Sequence, residues 1–194
     1  QALGAKVKNQ MVGLFGDVAI FSFYATKLMT SGGQGGMFVS KNQEYVDAVR
    51  DYREFDLRND SEKRFNFKMT DLQAAIGRVQ LKKLPSFLKR REEIFQYYKK
   101  SGLDLLDVDD ELRRILEPVR YRAILKTKNP RKLVSSLESV GVQSIIPTED
   151  WELLGPWKSL PNALKFSHET ISIPIYPSLT KEHLDIILSG LVIK

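Results

Sequence analysis

The sequence contains no cysteine and only two histidines, His168 and His183, which stand well apart. This excludes disulfide bridges, thiolate zinc sites and a cysteine nucleophile, and leaves little from which to build a transition-metal site. Neither histidine has a partner at ligand spacing, so both are assigned to the surface. Long apolar runs are missing too: none approaches the roughly 20 residues of a membrane-spanning helix, and the first residues lack the basic-then-apolar layout of a secretory signal. The expectation is a cytoplasmic chain with no membrane segment and no metal. Its chemistry must come from Lys, Ser, Thr, Asn or Asp side chains, or from a cofactor.

What is present is globular in composition: 194 residues, 42% hydrophobic and 28% charged, enough for one or two cores. The formal net charge is +6. The densest basic group, Lys82, Lys83, Lys89, Arg90 and Arg91, is interrupted by apolar residues and followed by Glu92 and Glu93. That pattern reads as a solvated helix face rather than a nucleic-acid surface. Its functional alternative is contact with a small anionic ligand such as a nucleotide diphosphate.

The chain opens on Gln1, and its first residues read as the middle of a larger protein. Val18 to Phe23 is almost wholly apolar, as suits a parallel strand covered on both faces. Met37 to Ser40 is its one obvious companion, so the rest of that sheet is expected upstream. Thr70 and Gln73 have capping-box spacing and open a helix with an apolar stripe through Leu72, Ala75, Ile76, Val79 and Leu84. Pro85 is expected to end it and to open a second helix that stops at Gly102. Further on, Val119, Tyr121, Ala123 and Leu125 alternate as in a half-buried strand. Asn129 and Pro130 begin a helix that Gly141 stops. "VQSII" is the next strand, "ISIPIYP" a later extended piece, and Thr180 caps the last helix. The expected division is 1–84, the rest of a large domain; 85–102, a connecting helix; and 103–194, a small α/β domain.

The chemistry lies in "GDVAIFSFYATKLMTSGGQGGMFVS", residues 16–40. A buried strand ends, Ser22 precedes Lys27 by five positions, and a glycine-rich turn returns to another apolar strand. A lysine shielded from water beside a strand is suited to condensing with an aldehyde. Glycines let backbone approach a flat or phosphorylated ligand. The same segment also reads as an ordinary loop lysine followed by an ordinary glycine turn.

"SFYATK" with its Gly-rich sequel, followed by "RFNFKMTDLQAAIGRVQLKKL" and "RREEIFQYY" in that order, resembles the two signatures of the DegT/DnrJ/EryC1/StrS family of sugar aminotransferases. The likeness is close over residues 1 to about 100 and looser beyond. It implies an α/β fold: the C-terminal part of a fold-type I, pyridoxal phosphate (PLP)-dependent transferase, comprising the remainder of a large mixed-sheet domain plus a small α/β domain. By the same resemblance Lys27 is the lysine that carries PLP, and Ser22 is the hydroxyl on its phosphate. Asn66 reaches that phosphate from the neighbouring subunit of a homodimer with shared sites, and Gln1 stands near the cofactor ring. The implied reaction moves an amino group from glutamate or glutamine onto a keto group of a nucleotide-linked sugar.

Three departures go with the resemblance. The family's aspartate, which pairs with the pyridine nitrogen, would lie three residues before Gln1, and with it would lie the upstream half that stacks on the ring. This chain alone is therefore expected to be inactive. The family's Gly-Glu-Gly-Gly stands here as "GGQGG", with one extra residue and Gln34 in place of the acid. "VRYRAIL" lacks the family's aromatic or histidine pattern. A different reading keeps the chain as a truncated or split, non-catalytic remnant that dimerises or binds a partner. The family's dehydratase branch carries histidine in place of the lysine, and Lys27 argues against it. Asp17 and Asp71 read as structural, Asp71 by its place in a helix first turn.

Overall fold

The computed structural model describes residues 1–156 and 159–192. The elements used below are strands β1 (Lys6–Val7), β2 (Gln10–Met11), β3 (Val18–Ser22), β4 (Gly36–Ser40), β5 (Leu116–Glu117), β6 (Ala123–Lys126) and β7 (Thr170–Ile173). The helices are α1 (Gln43–Tyr52), α2 (Asp71–Lys100), α3 (Asp110–Arg113), α4 (Pro130–Ser139), α5 (Pro161–Glu169) and α6 (Lys181–Leu191). They form two compact units: residues 1–88 with 109–119, and residues 89–108 with 120 onward. The chain thus changes unit after Leu88, Val108 and Val119. No helix among the described residues is long and apolar enough to cross a membrane.

In the first unit β1 pairs antiparallel with β2 and β5. Lys8 and Asn9 between β1 and β2 both have positive φ, 48° and 64°, the backbone of a tight hairpin turn whose twist matches its strands. β3 pairs with β4 from Val18↔Ser40 to Ser22↔Gly36, antiparallel. Where a parallel strand was expected, the pairing of β3 among the described residues is antiparallel, with the next strand in sequence; alternate residues of β3 are exposed in this chain, Ile20 at 81%. An apolar run reports affinity for burial but not the direction of the strand beside it. Asn42 caps α1 by accepting the Glu44 N–H at 2.9 Å.

α2 opens as its sequence predicts. The Thr70 N–H donates to Gln73 Oε1 at 3.0 Å, and the Gln73 N–H donates to Thr70 Oγ1 at 3.3 Å. The expected stop at Pro85 is overturned: α2 runs through Pro85 to Lys100 as one helix. A proline inside a helix removes a backbone donor and costs about 3 kcal/mol. Beyond Pro85, Ile94, Phe95 and Tyr98 are fully buried, at spacings that share one helix face. The helix ends at Gly102, whose φ of +87° lets the Leu103 N–H reach the Tyr98 carbonyl at 3.2 Å and the Gly102 N–H reach that of Lys99 at 3.0 Å.

The second unit holds the large core. Ile94, Phe95, Tyr98, Leu105, Ala123, Leu125, Leu133, Leu137, Ile171, Ile173, Ile175, Leu179, Leu184 and Ile187 form one buried cluster. β6 and β7 pair antiparallel at its centre, with single bridges Leu105↔Leu125 and Ile145↔Ser172 on either side. "VQSII" therefore contributes one bridge at Ile145 instead of a strand, and β6 begins at Ala123, so Val119 and Tyr121 lie outside it. Asn129 stands at the N-cap of α4 without a side-chain bond, so Pro130 at the first turn carries that start. Thr180 caps α6 with His183 as its partner: the His183 N–H donates to Thr180 Oγ1 at 3.4 Å and the Thr180 N–H to His183 Nδ1 at 3.2 Å. α4 and α6 approach closely at Gly190, where a Cβ would lie 2.8 Å from Val140.

Part of the basic group read as solvated is buried in this unit. Arg91 donates to the carbonyls of Arg120 and Tyr121, both at 3.2 Å, and burial pulls its guanidinium below the ordinary value. Arg90 donates to the Leu179 carbonyl at 2.7 Å. Arg120, 6% exposed at its side chain, bridges Glu92 at 2.7 Å and Asp107 at 2.8 Å and lies 3.8 Å from the Phe95 ring centre. Burial alone would raise the Asp107 carboxyl, but hydrogen bonds from Lys99 and Arg120 outweigh it and hold the group at about 2.

Candidate functional site

The candidate site is built on the end of β3. Ser22 is its last residue, opposite Gly36 of β4, where an added Cβ would meet the Phe21 carbonyl at 2.9 Å. Beyond Ser22 the strand pairing is continued by single bonds: the Phe23 N–H donates to the Gly35 carbonyl at 2.8 Å and the Ala25 N–H to that of Gly33 at 3.0 Å. Residues 24–30 then form a loop whose ends meet, because the Ser31 N–H donates to the Phe23 carbonyl at 3.0 Å. Lys27 sits half-buried on this loop, held in a turn by its own N–H, which donates to the Tyr24 carbonyl at 3.0 Å. Leu28 and Met29, next in the chain, are buried and anchor it. Gly32 and Gly33 take φ of +83° and +149°, conformations costly for any other residue.

Ser22 and Lys27 therefore share one short segment with defined ends. The Ser22 Oγ accepts the Tyr24 N–H at 3.4 Å, and an accepting hydroxyl keeps its proton for donation to a second group. Asn66 stands elsewhere in the first unit, exposed on the extended segment ahead of α2. Its neighbours Phe65 and Phe67 stack with ring centres 5.1 Å apart. That segment is tied at three points to α1 and the residues just after it. The Phe65 N–H donates to the Tyr52 carbonyl at 2.9 Å. Arg64 bonds both carboxylate oxygens of Asp51, at 3.1 and 3.2 Å. Lys68 bonds Glu54 at 2.6 Å. Hydrogen bonds that Arg64 donates to Asp60, then to Asp51, raise its guanidinium above the ordinary value, and the bond donated by Lys68 lowers the Glu54 carboxyl. Gln1 is exposed at the start of the described chain.

Sequence reasoning missed Ser31. Its side chain is 0% exposed, and its hydroxyl lies 2.9 Å from the Gln34 carbonyl and 3.4 Å from that of Phe23. Only its place between apolar Met29 and the glycines hinted at burial. The Arg64 clamp was missed as well, because "RFNF" drew notice to Asn66 alone.

The donor set suits a phosphorylated aldehyde. A lysine amine on a closed loop can hold the carbonyl carbon, Ser22 can donate to a phosphate oxygen, and the backbone at Gly33 is open, with nothing within 4 Å of where a Cβ would stand.

Comparison with known proteins agrees with this chemistry. The model of the DegT/DnrJ/EryC1/StrS aminotransferase family matches residues 1–192. A UDP-4-amino-4,6-dideoxy-N-acetyl-beta-L-altrosamine transaminase of Campylobacter jejuni is 31% identical, over 92% of this chain and 52% of its own length. A GDP-perosamine synthase of Escherichia coli O157:H7 is 28% identical, over 95% of this chain and 53% of its own. Among solved structures, the putative sugar aminotransferase Spr1654 of Streptococcus pneumoniae in its PLP-form is 27% identical with a TM-score of 0.76, covering 98% of this chain and 55% of that one. The chain spans about half the length of the curated relatives it matches. With a match over nearly its whole length and an α/β fold shared with a PLP-form sugar aminotransferase, the chain belongs to the DegT/DnrJ/EryC1/StrS aminotransferase family, whose cofactor is PLP.

Proposed function

We propose that this chain contributes the cofactor lysine and a phosphate-binding hydroxyl to an aminotransferase that converts a keto group of a nucleotide-linked sugar into an amine. The observation that carries this reading is the closed loop on which Lys27 stands five residues beyond Ser22, at the end of a strand and beside a glycine turn. The printed names of two relatives, a UDP-sugar transaminase and a GDP-perosamine synthase, support the substrate class.

When bound, PLP supplies an electron sink for the carbon that loses its proton. Side-chain chemistry supports the roles of Lys27 and Ser22; those of Gln1 and Asn66, the shared sites and the donor rest on the family resemblance. Lys27 Nζ would hold the cofactor's carbonyl carbon, and as a free amine it would take the proton from the donor's α-carbon as a general base. Ser22 donates to the cofactor phosphate and limits its sliding in the site. Gln1 lies near the ring. Asn66 reaches the phosphate of a second subunit, so the active unit is a homodimer with shared sites. The donor is glutamate or glutamine, and the enzyme is cytoplasmic.

The test uses the full-length protein with PLP, either donor, and keto sugars linked to UDP or GDP. Release of the donor's 2-oxo acid together with an amino sugar of matching mass is expected. PLP binding without 2-oxo acid from any donor would contradict the reading. Mixing Lys27→Ala chains with Asn66→Ala chains should restore about a quarter to a half of the activity through heterodimers with one intact site, which separates the shared-site claim from the activity itself.

A further inference from the structure

We propose that Ser31 is a positioning residue for Lys27: its buried hydroxyl closes the base of the 24–30 loop and so fixes the lysine relative to Ser22. The proposal rests on the reading of Lys27 as the cofactor lysine.

The loop has two ends, Phe23 and Ser31, and only the Ser31 end carries a side chain that bonds across the gap. The Ser31 N–H reaches the Phe23 carbonyl at 3.0 Å. Its hydroxyl has one proton and two carbonyls within range. At 2.9 Å the Gln34 carbonyl is the better acceptor, and that of Phe23 at 3.4 Å is the weaker alternative. Gln34 lies past the two strained glycines, so this bond holds the returning chain against the strand that ends in Ser22. Ser31 is thus tied to both strands through backbone groups.

The pocket around Ser31 is fitted to a small hydroxyl residue. A Cβ on Gly35 would lie 2.1 Å from the Ser31 Oγ, and a Cβ on Gly77 of α2 would lie 3.7 Å from the Ser31 Cβ. Gly32 faces α2 as well, its Cβ position 2.8 Å from Ile76 Cδ1. The side chain is completely buried, where a hydroxyl is tolerated only if bonded. Between this closure and Lys27 stand the buried Leu28 and Met29, so displacement at Ser31 is transmitted to the lysine through a stretch with little freedom of its own. Placement errors of about 1 Å at a reacting group cost on the order of 10²-fold in rate, which makes loop closure functional as well as structural.

The experiment compares the full-length protein with its Ser31→Ala and Ser31→Thr forms, without added PLP. Two readouts are taken: amide hydrogen exchange along the chain, and labelling of Lys27 by an amine-selective reagent relative to Lys8 and Lys41 in the same molecule. Ser31→Ala is expected to speed exchange at residues 24–31 by about tenfold, the size expected for loss of one hydrogen bond from a closed loop. Lys27 labelling should rise with it while Lys8 and Lys41 keep their ratio, and Ser31→Thr, which keeps the hydroxyl, should restore both. Gly35→Ala, whose Cβ drives against the Ser31 Oγ, should give the same signature and serves if Ser31→Ala fails to fold. Unchanged Lys27 labelling in a folded Ser31→Ala protein, or an even rise in exchange across the whole first unit, would overturn the proposal. Reduction of the unmodified protein with borohydride in the presence of PLP is the separate arm: a pyridoxyl group on another lysine would defeat the Lys27 reading while leaving the loop result standing.

Discussion

The two units of this chain divide stability and chemistry between them. The second unit contains the large buried cluster, from Ile94 to Ile187, and its buried Arg120 is clamped by Glu92 and Asp107. The first unit carries Ser22, Lys27 and Asn66, yet its buried apolar residues are few, and Ile20 and Leu72 are 81% and 79% exposed. This chain spans about half the length of its curated relatives, and within it the first unit is held by local fastening. The 24–30 loop is held by backbone bonds and Ser31, and the 64–68 segment by Arg64 and Lys68. The contrast teaches that the bonds fastening these two segments are local to the first unit and do not draw on the large cluster of the second.

The contrast can be sharpened by substitutions in each unit, starting with the largest expected effect. Leu137→Ala, at a fully buried position in the second unit, should lower stability by about 3 kcal/mol in urea unfolding. A loss under 1 kcal/mol would mean that the cluster is looser than its burial implies.

Acid should act next. The Asp107 carboxyl titrates at about 2 in the folded chain and near 3.9 when unfolded. A carboxyl depressed by folding gives stability that is fully present above its unfolded value and lost as pH falls toward its folded value. Unfolding of the second unit between pH 5 and 2 should therefore show a decline to which Asp107 adds about 1 kcal/mol, discounted for its partial solvent contact. Asp107→Asn should flatten that part of the curve, and an unaltered slope would remove Asp107 from the clamp.

Smaller effects belong to the first unit. Thr70→Ala removes the α2 cap and should cost about 1 kcal/mol, with faster amide exchange at residues 71–74 as the local check. In the 194-residue chain by itself, Ile20→Ala on the exposed face of β3 should stay within about 0.5 kcal/mol. A loss of several kcal/mol there would show that this face is covered in solution, and the contrast between the units would then be one of what covers them.

Much of the local architecture was legible in the sequence, because it depends on neighbouring residues. The Thr70–Gln73 box, the stop at Gly102 and the Thr180 cap are chemistry within one turn, and each stands where the sequence put it. Tertiary choices were not legible. Pro85 looked like a boundary because proline lacks the backbone donor that a helix interior uses, yet α2 runs through it as one helix. The Val18–Phe23 run announced a strand but not an antiparallel partner, and Arg91 looked solvated because its carbonyl partners lie about thirty residues away. Lys27 and Ser22 could be picked out by spacing and family resemblance. Ser31 could not, since a serine beside glycines is ordinary until it is found with no exposed surface.

The central claim is that the closed loop of the first unit presents the lysine that carries PLP. It is tested most directly by reducing the full-length protein with borohydride in the presence of PLP and mapping the pyridoxyl group to a peptide. The account predicts a single modified residue, Lys27, with the label lost in Lys27→Ala. A pyridoxyl group on Lys41 or Lys68, or one retained in Lys27→Ala, would contradict it.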